Sequence, residues 1–171
     1  MPTDPPSDAD LRDAVRRLAP LLRAGDEQLA VAESCTGGFI GHLVSDVPEA
    51  SDHFLGGIIS YSNAVKERLL RVPHALIDKP GPVSEEVATA MLDGVFERFP
   101  SASIALAVTC LAGPQGSDDG KPVGLTYVGM AHRDESPHIR SYVFEHDRDG
   151  NKRAAALAAL ELAAQHAGGG G

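Results

Sequence analysis

Apolar residues recur along this chain either at helical spacing or in short unbroken runs, and the two patterns alternate. The first helical pattern consists of Leu11, Val15, Leu18 and Leu22. It predicts an amphipathic helix that begins behind Ser7, a suitable N-cap, and ends at Gly25. The short apolar runs, bounded by turn residues, predict buried strands. These runs are Leu29–Ala32, Phe54–Tyr61, Ile104–Thr109, Leu125–Ala131 and Ile139–Phe144.

Capping and breaking residues bound four further helices. One has its apolar face in Phe39–Val44 and is stopped by Pro48. Asn63 is a suitable N-cap for a short helix that runs to Leu70, and Ser84 begins a longer helix with two glutamates in its first turn. An alanine-rich terminal helix covers Ala154–Ala164.

Strands that alternate with helices early in the chain, and a hairpin through Arg133–Pro137 later, predict an α/β fold. The expected architecture is a three-layer α/β/α sandwich with a mixed, mostly parallel sheet. We expect a single domain over residues 8–167. Residues 1–7, with three prolines, predict a disordered lead, and residues 168–171 a flexible glycine tail.

The amino-acid composition and the net charge make some classes of function less suitable for this chain. A length of 171 residues with 43% hydrophobic content suits one compact domain, and a net charge of −9 argues against binding to a nucleic-acid backbone. The negative net charge is still compatible with binding of a phosphorylated small molecule, because a few local Arg or Lys residues suffice to hold one phosphate. No apolar run reaches membrane-helix length and the first residues lack a secretory pattern, so we expect a cytoplasmic protein that does not contact membranes. Two cysteines predict reduced thiols, and the scattered histidines predict no metal site.

The segment Leu29–Gly38 places a serine and a cysteine where an apolar run gives way to glycines. If the run is a strand and the glycines, among them Gly37, open a helix, Ser34 and Cys35 lie at a helix N-terminus. Unpaired backbone N–H groups and the helix dipole favour negative charge there. The segment therefore predicts a place for a nucleophile or an anion.

Lys66 is predicted in the first turn of a helix, shortly after Tyr61 ends a strand. The helix dipole and partial burial would both lower the pKa of its amine, and a neutral lysine could take the Ser34 proton, with Tyr61 relaying a proton or orienting the amine. A purely structural interpretation stands beside this one: Lys66 extends to solvent, Tyr61 packs, and Ser34 caps a helix. Spacing alone favours the structural interpretation, because one Ser, one Lys and one Tyr occur in almost any domain.

Two further segments could bind an anion. The loop Thr109–Gly124 contains Gly113 and Gly116, and such a loop can turn N–H groups toward an oxyanion or phosphate. Arg148, before the last helix, could hold a phosphate through two hydrogen bonds. An ordinary polar connection and a solvated charge cluster are the respective alternatives.

Taken together, several segments resemble the CinA C-terminal domain family, which includes stand-alone nicotinamide-nucleotide amidases of the PncC type. The resemblance covers about residues 10–165. It rests on AESCTGG at 32–38, FLGGIISYSNAVKERLLRV at 54–72, PVSEEVATAM at 82–91, AGP at 112–114, KPVG at 121–124 and DR at 147–148. It implies an α/β/α domain, a homodimer, no organic cofactor and, in active members, a serine/lysine enzyme that converts nicotinamide mononucleotide to nicotinic acid mononucleotide and ammonia.

The resemblance also implies roles for individual residues. Ser34 matches the family's nucleophile and Lys66 its base, while Tyr61 falls on the family's tyrosine. Thr109 falls on the threonine or serine that opens the family's loop, and Arg148 falls on an arginine that the family uses near the substrate. N–H groups at the helix start or in the loop 110–116 would then hold the oxyanion.

The sequence departs from the family at Cys110 and His146, where the family has glycine. If the first position needs a positive φ, Cys110 would strain the loop or occlude the pocket. A nucleotide-binding or regulatory module without activity is therefore the alternative function. Two hypotheses concern the cysteines: Cys35 as the nucleophile, and a redox switch if Cys35 and Cys110 approach one another.

Overall fold

A computed structural model of the protein describes residues 4–117 and 120–167. The strands in these ranges are β1 (Leu29–Glu33), β2 (Phe54–Ile59), β3 (Ile104–Cys110), β4 (Leu125–His132) and β5 (His138–Val143). The α-helices are α1 (Asp8–Ala24), α2 (Phe39–Ser45), α3 (Asn63–Leu70), α4 (His74–Asp78), α5 (Glu85–Arg98) and α6 (Arg148–His166). The strands form one sheet in the order β2-β1-β3-β4-β5.

The predicted mixed sheet in a three-layer α/β/α sandwich is confirmed. β1 pairs in parallel with β2 and β3, whereas β3–β4 and β4–β5 are antiparallel. Parallel and antiparallel pairings are thus equal in number, and parallel ones are not the majority that the sequence predicts. The reason is that β4 and β5 form a hairpin and that β3 reaches β4 through a loop rather than a crossover helix.

The two faces of the sheet carry different side chains. Large residues such as Val31 and Leu106 pack with α1, α2 and α6, whereas alanines such as Ala30 and Ala105 face α5. Small residues let α5 lie close to the sheet, and α3 packs in turn on α5. The contact between these helices is tight at Gly94, where a Cβ atom would lie 2.2 Å from the Leu70 carbonyl oxygen. Glycine at this position therefore fixes the placement of α3, the helix that carries Lys66.

Most predicted elements are present, with differences at their ends. The N-cap of α3 is Ser62 rather than Asn63, since the Ser62 side chain accepts from the Val65 N–H at 3.3 Å. The last helix begins at Arg148 rather than at Ala154, because Asp147 caps it. Neither α4 nor the 3₁₀ turn Ala50–Asp52 was expected from the sequence.

Part of the predicted lead is in contact with the domain. Ser7 caps α1 in a capping box, and the Pro6 carbonyl accepts from Arg153 Nε at 2.6 Å. Residues 1–3 and the predicted tail 168–171 lie outside the described residues. Among the described helices, none combines the length and the apolar character needed to cross a membrane.

Candidate active site

Most of the predicted site residues meet at one edge of the sheet, where the parallel strands β1, β2 and β3 end. Ser34 follows β1, Tyr61 follows β2, and Thr109 lies near the end of β3. The Ser34 N–H donates to the Val108 carbonyl at 3.0 Å, which fixes the start of the turn after β1 against β3. A cavity of about 290 Å³ opens here. Crevices at the carboxyl ends of parallel strands are common ligand sites in α/β folds.

Lys66 and Ser34 are in direct contact. Lys66 Nζ donates to Ser34 Oγ at 2.9 Å, to the Ser60 carbonyl at 2.7 Å and, more weakly, to the Tyr61 carbonyl at 3.4 Å. The Lys66 side chain is buried, with 2% of its surface exposed. It therefore does not extend to solvent, as the structural interpretation required.

Burial lowers the pKa of the Lys66 amine from its usual 10.5 to about 8. Burial is the cause, because an ammonium group loses hydration that the surrounding protein does not replace. In the described part of the chain, no carboxylate forms an ion pair with Lys66. Roughly one-tenth of these amines are therefore neutral at pH 7, far more than for an exposed lysine.

The turn that carries Ser34 is anchored by Glu33, a residue that the sequence analysis did not single out. Its buried carboxylate accepts from the backbone N–H groups of Gly38 at 3.0 Å, Ile40 at 3.1 Å and Gly41 at 2.8 Å. In the sequence, the one feature that could have pointed to this role of Glu33 is that it is an acidic residue at the end of an apolar run. Because this carboxylate already accepts from the N–H groups of Gly38, Ile40 and Gly41, those three donors are not free for an oxyanion.

Other backbone donors lie nearer to Ser34. Within residues 4–117 and 120–167, the N–H groups of Cys35 and Thr36 donate to no protein acceptor. Cys35 lines the cavity, and Thr36 follows it in the turn. The N–H of the residue after a nucleophilic serine is a common oxyanion donor in hydrolases.

Arg148 spans one side of the cavity. Its guanidinium donates to the Tyr61 hydroxyl at 2.8 Å and to the Gly113 carbonyl. Tyr61 contacts Lys66 through its backbone carbonyl, while its phenol contacts Arg148. Thr109 donates from Oγ1 to the Pro82 carbonyl at 2.8 Å.

The cavity does not include every predicted residue. Ser34, Tyr61, Lys66, Thr109, Gly113 and Arg148 line it. Gly37 lies in the turn before α2 with a φ of 64°, and Gly116 lies further along the loop; neither is among the lining residues. Pro82 and Val83, in the segment before α5, also line the cavity, although the sequence pattern assigned them no role there.

The two departures from the family pattern have different surroundings. Cys110 is the last residue of β3, in register with Thr126, so the strain expected from a positive φ does not arise. The His146 N–H donates to Asn151 Oδ1 at 3.1 Å, and the buried Asn151 amide donates to the Ala112 carbonyl at 3.1 Å. Asn151, also missed from the sequence, thus connects α6 to the loop after β3.

Cys35 and Cys110 form a disulfide, with their Cα atoms 5.6 Å apart. The expectation of reduced thiols is therefore wrong, because two distant segments converge at the site. The predicted approach of the two cysteines is confirmed. In this form Cys35 has no thiol to act as a nucleophile.

The described ranges contain no group of three or more His, Cys, Asp or Glu side chains that could hold a metal ion.

The curated proteins that are similar in sequence to this chain include several CinA-like proteins. A CinA-like protein of Geobacter sulfurreducens is 43% identical over 144 residues, which is 84% of this chain and 34% of that protein. A CinA-like protein of Nostoc punctiforme is 50% identical over 111 residues, covering 65% of this chain and 26% of that protein. The chain thus spans about a third or less of the length of these curated relatives.

The fold is also similar to that of solved structures, among them a CinA superfamily protein. A CinA superfamily protein of Klebsiella pneumoniae superposes with a TM-score of 0.87 at 25% identity, covering 91% of this chain and 96% of that one. The competence/damage inducible protein CihA of Agrobacterium tumefaciens gives a TM-score of 0.83 at 30% identity, with 95% and 96% covered. The family model of the CinA C-terminal domain matches residues 12–167. This chain therefore belongs to the CinA C-terminal domain family.

Proposed function

We propose that this protein is an amidohydrolase that releases ammonia from nicotinamide mononucleotide, with Ser34 as nucleophile and Lys66 as general base. The observation that carries the proposal is the 2.9 Å contact between Lys66 Nζ and Ser34 Oγ, buried and without a carboxylate partner among the described residues. A lysine of lowered pKa beside a serine hydroxyl is an arrangement that activates the serine.

In the first half-reaction, neutral Lys66 takes the Ser34 hydroxyl proton while Oγ attacks the carboxamide carbon. The resulting tetrahedral oxyanion requires donors aimed at it, and the N–H groups of Cys35 and Thr36 are the candidates. Collapse of the intermediate breaks the C–N bond. The Lys66 ammonium returns its proton to the leaving nitrogen, which departs as ammonia and leaves an ester on Ser34.

In the second half-reaction, Lys66 takes a proton from water, and the water oxygen attacks the ester carbon. The bond between that carbon and Ser34 Oγ then breaks, the Lys66 ammonium returns the proton to Oγ, and the carboxylic acid leaves. The carbonyls of Ser60 and Tyr61 hold the amine in place through both steps. No organic cofactor is required, since each step moves only protons and an acyl group.

Arg148 is the proposed partner of the substrate phosphate. Its guanidinium lies at the cavity, and a phosphate could replace its contacts with Tyr61 and Gly113. Thr109 and Gly113 would then line the path of the ribose and carboxamide.

The alternative is a nucleotide-binding or regulatory module without activity. The observation that favours it is that Arg148 already bonds within the protein and that a disulfide occupies part of the cavity wall. Such a module would bind nicotinamide mononucleotide and release no ammonia.

The test is ammonia release from nicotinamide mononucleotide by the purified protein and by Ser34→Ala. The proposal predicts turnover by the native protein and a loss of at least about 10³-fold in the variant, because the acyl-enzyme cannot form. Ser45→Ala, an exposed serine at the end of α2, is the matched control and keeps full activity. Binding without turnover in the native protein would favour the regulatory module instead.

A further inference from the structure

We propose that the Cys35–Cys110 pair is a reversible redox clamp on the active site, with the disulfide form active and the dithiol form much less active. The inference rests on the proposed amidase function for its activity readout. Its structural content is independent of that function, because it concerns the order of a backbone segment.

The disulfide connects the segments that build the two walls of the site. Cys35 directly follows the nucleophile Ser34, and Cys110 directly follows Thr109. Both cysteines line the cavity, although only 5% and 8% of their surfaces are exposed. The bond therefore joins the turn of the nucleophile to the loop that continues to Gly113 and, through it, to Arg148.

If the bond breaks, the remaining contacts still hold the facing loop but leave the turn of the nucleophile partly free. The N–H of Ser34 is fixed on β3, but those of Cys35 and Thr36 have no protein acceptor among the described residues. On the other wall, the bonds of Leu111 with Leu125 and Gly124 fix the loop start. Beyond them, the carbonyls of Ala112 and Gly113 are held by side chains of α6.

The clamp thus acts on the proposed oxyanion donor. Cys35 supplies a backbone N–H, and its side chain is the bonded sulfur, so the disulfide restricts the orientation of that peptide. Pre-organised donors give their full effect only when they are held at the position of the developing charge. A displacement on the order of 1 Å in such a site can cost about 100-fold in rate.

The redox step is thiol–disulfide exchange. A low-molecular-weight disulfide such as glutathione disulfide accepts two electrons and two protons from the Cys35 and Cys110 thiols. Two glutathione thiols leave, and the Cys35–Cys110 bond forms. A dithiol reverses the step, and the cavity gives it a route to the otherwise buried sulfurs.

The experiment compares the native protein equilibrated with glutathione disulfide and with excess dithiothreitol, with free thiols counted in each sample. We expect no free thiol in the first sample and two in the second. Amide hydrogen exchange in segment 35–38 should be at least about tenfold faster in the dithiol form, while strand residues 104–108 stay unchanged. Ammonia release should fall by about tenfold or more and return on reoxidation.

The double variant Cys35→Ala, Cys110→Ala provides the matched variant, because it has no thiol left to form a mixed disulfide with glutathione. It should show the low activity and the fast exchange of the dithiol form in both buffers. Thiols that persist with glutathione disulfide would overturn the clamp, as would unchanged exchange on reduction or a dithiol form of equal or higher activity. If neither form releases ammonia but exchange responds to reduction, the amidase proposal fails and the structural clamp stands.

Discussion

Lys66→Met is expected to lower kcat/KM for ammonia release by at least about 10³-fold and to leave the protein folded. Methionine fills a similar volume but can neither take the Ser34 proton nor return it to the leaving nitrogen. The donor to the Ser34, Ser60 and Tyr61 oxygens is lost as well. Steady-state assays of ammonia release, with circular dichroism as the check on folding, measure the effect.

The same variant also tests the lowered pKa of Lys66, through the free energy of unfolding. Folded Lys66 loses its proton at about pH 8, whereas the unfolded side chain keeps it to about pH 10.4. The unfolded state therefore binds more protons between these values, and stability rises with pH in that window. Relative to Lys66→Met, the native protein should gain about 3 kcal/mol across it.

Lys79→Met is the matched control, because Lys79 is exposed at the end of α4. Its activity and pH dependence should follow those of the native protein. A Lys66→Met variant that keeps more than a tenth of the native activity would contradict the role of the amine.

Glu33→Ala is expected to destabilise the protein by about 3 kcal/mol and to lower its melting temperature by about 10 °C. The carboxylate accepts from three backbone N–H groups at the start of α2, and alanine leaves these donors without an acceptor. The turn that carries Ser34 loses its anchor, so activity should fall by about 100-fold even at temperatures where the variant is folded. Thermal unfolding and ammonia release measure the two effects.

Glu33→Gln refines this prediction. Its amide oxygen can replace one acceptor, but its NH₂ group faces backbone donors, so an intermediate loss of stability is expected. Glu161→Ala, on the exposed face of α6, is the surface control and should change stability by less than about 0.5 kcal/mol. Native-like stability in Glu33→Ala would show that the carboxylate does not hold the turn.

The layers of the fold were predictable because the chain keeps a consistent pattern. Leucines and valines at helical spacing gave α1, and unbroken apolar runs gave the strands. What the pattern did not contain was strand direction: β3 and β4 are both apolar, and the connection between them is long enough for a crossover as well as for an antiparallel return. The start of α6 was missed because its polar first turn, capped by Asp147, resembles a loop.

The site was predictable only in part. The Ser34–Lys66 pair came from the family resemblance, since spacing alone favoured a structural explanation. Glu33 was missed because its role depends on where the α2 N–H groups point after folding. The disulfide was not predicted, because a count of two cysteines indicates only the general redox environment. Whether a disulfide forms depends on the distance between the two cysteines in the fold, and here their Cα atoms are 5.6 Å apart.

The decisive measurement is the pH profile of kcat/KM for nicotinamide mononucleotide, because it reports whether an uncharged Lys66 activates Ser34. If it does, kcat/KM rises about tenfold per pH unit below pH 8 and reaches a plateau above it, set by the lowered pKa of this amine. A profile that is flat from pH 6 to about pH 9, or that falls as the amine loses its proton, would contradict this role of Lys66.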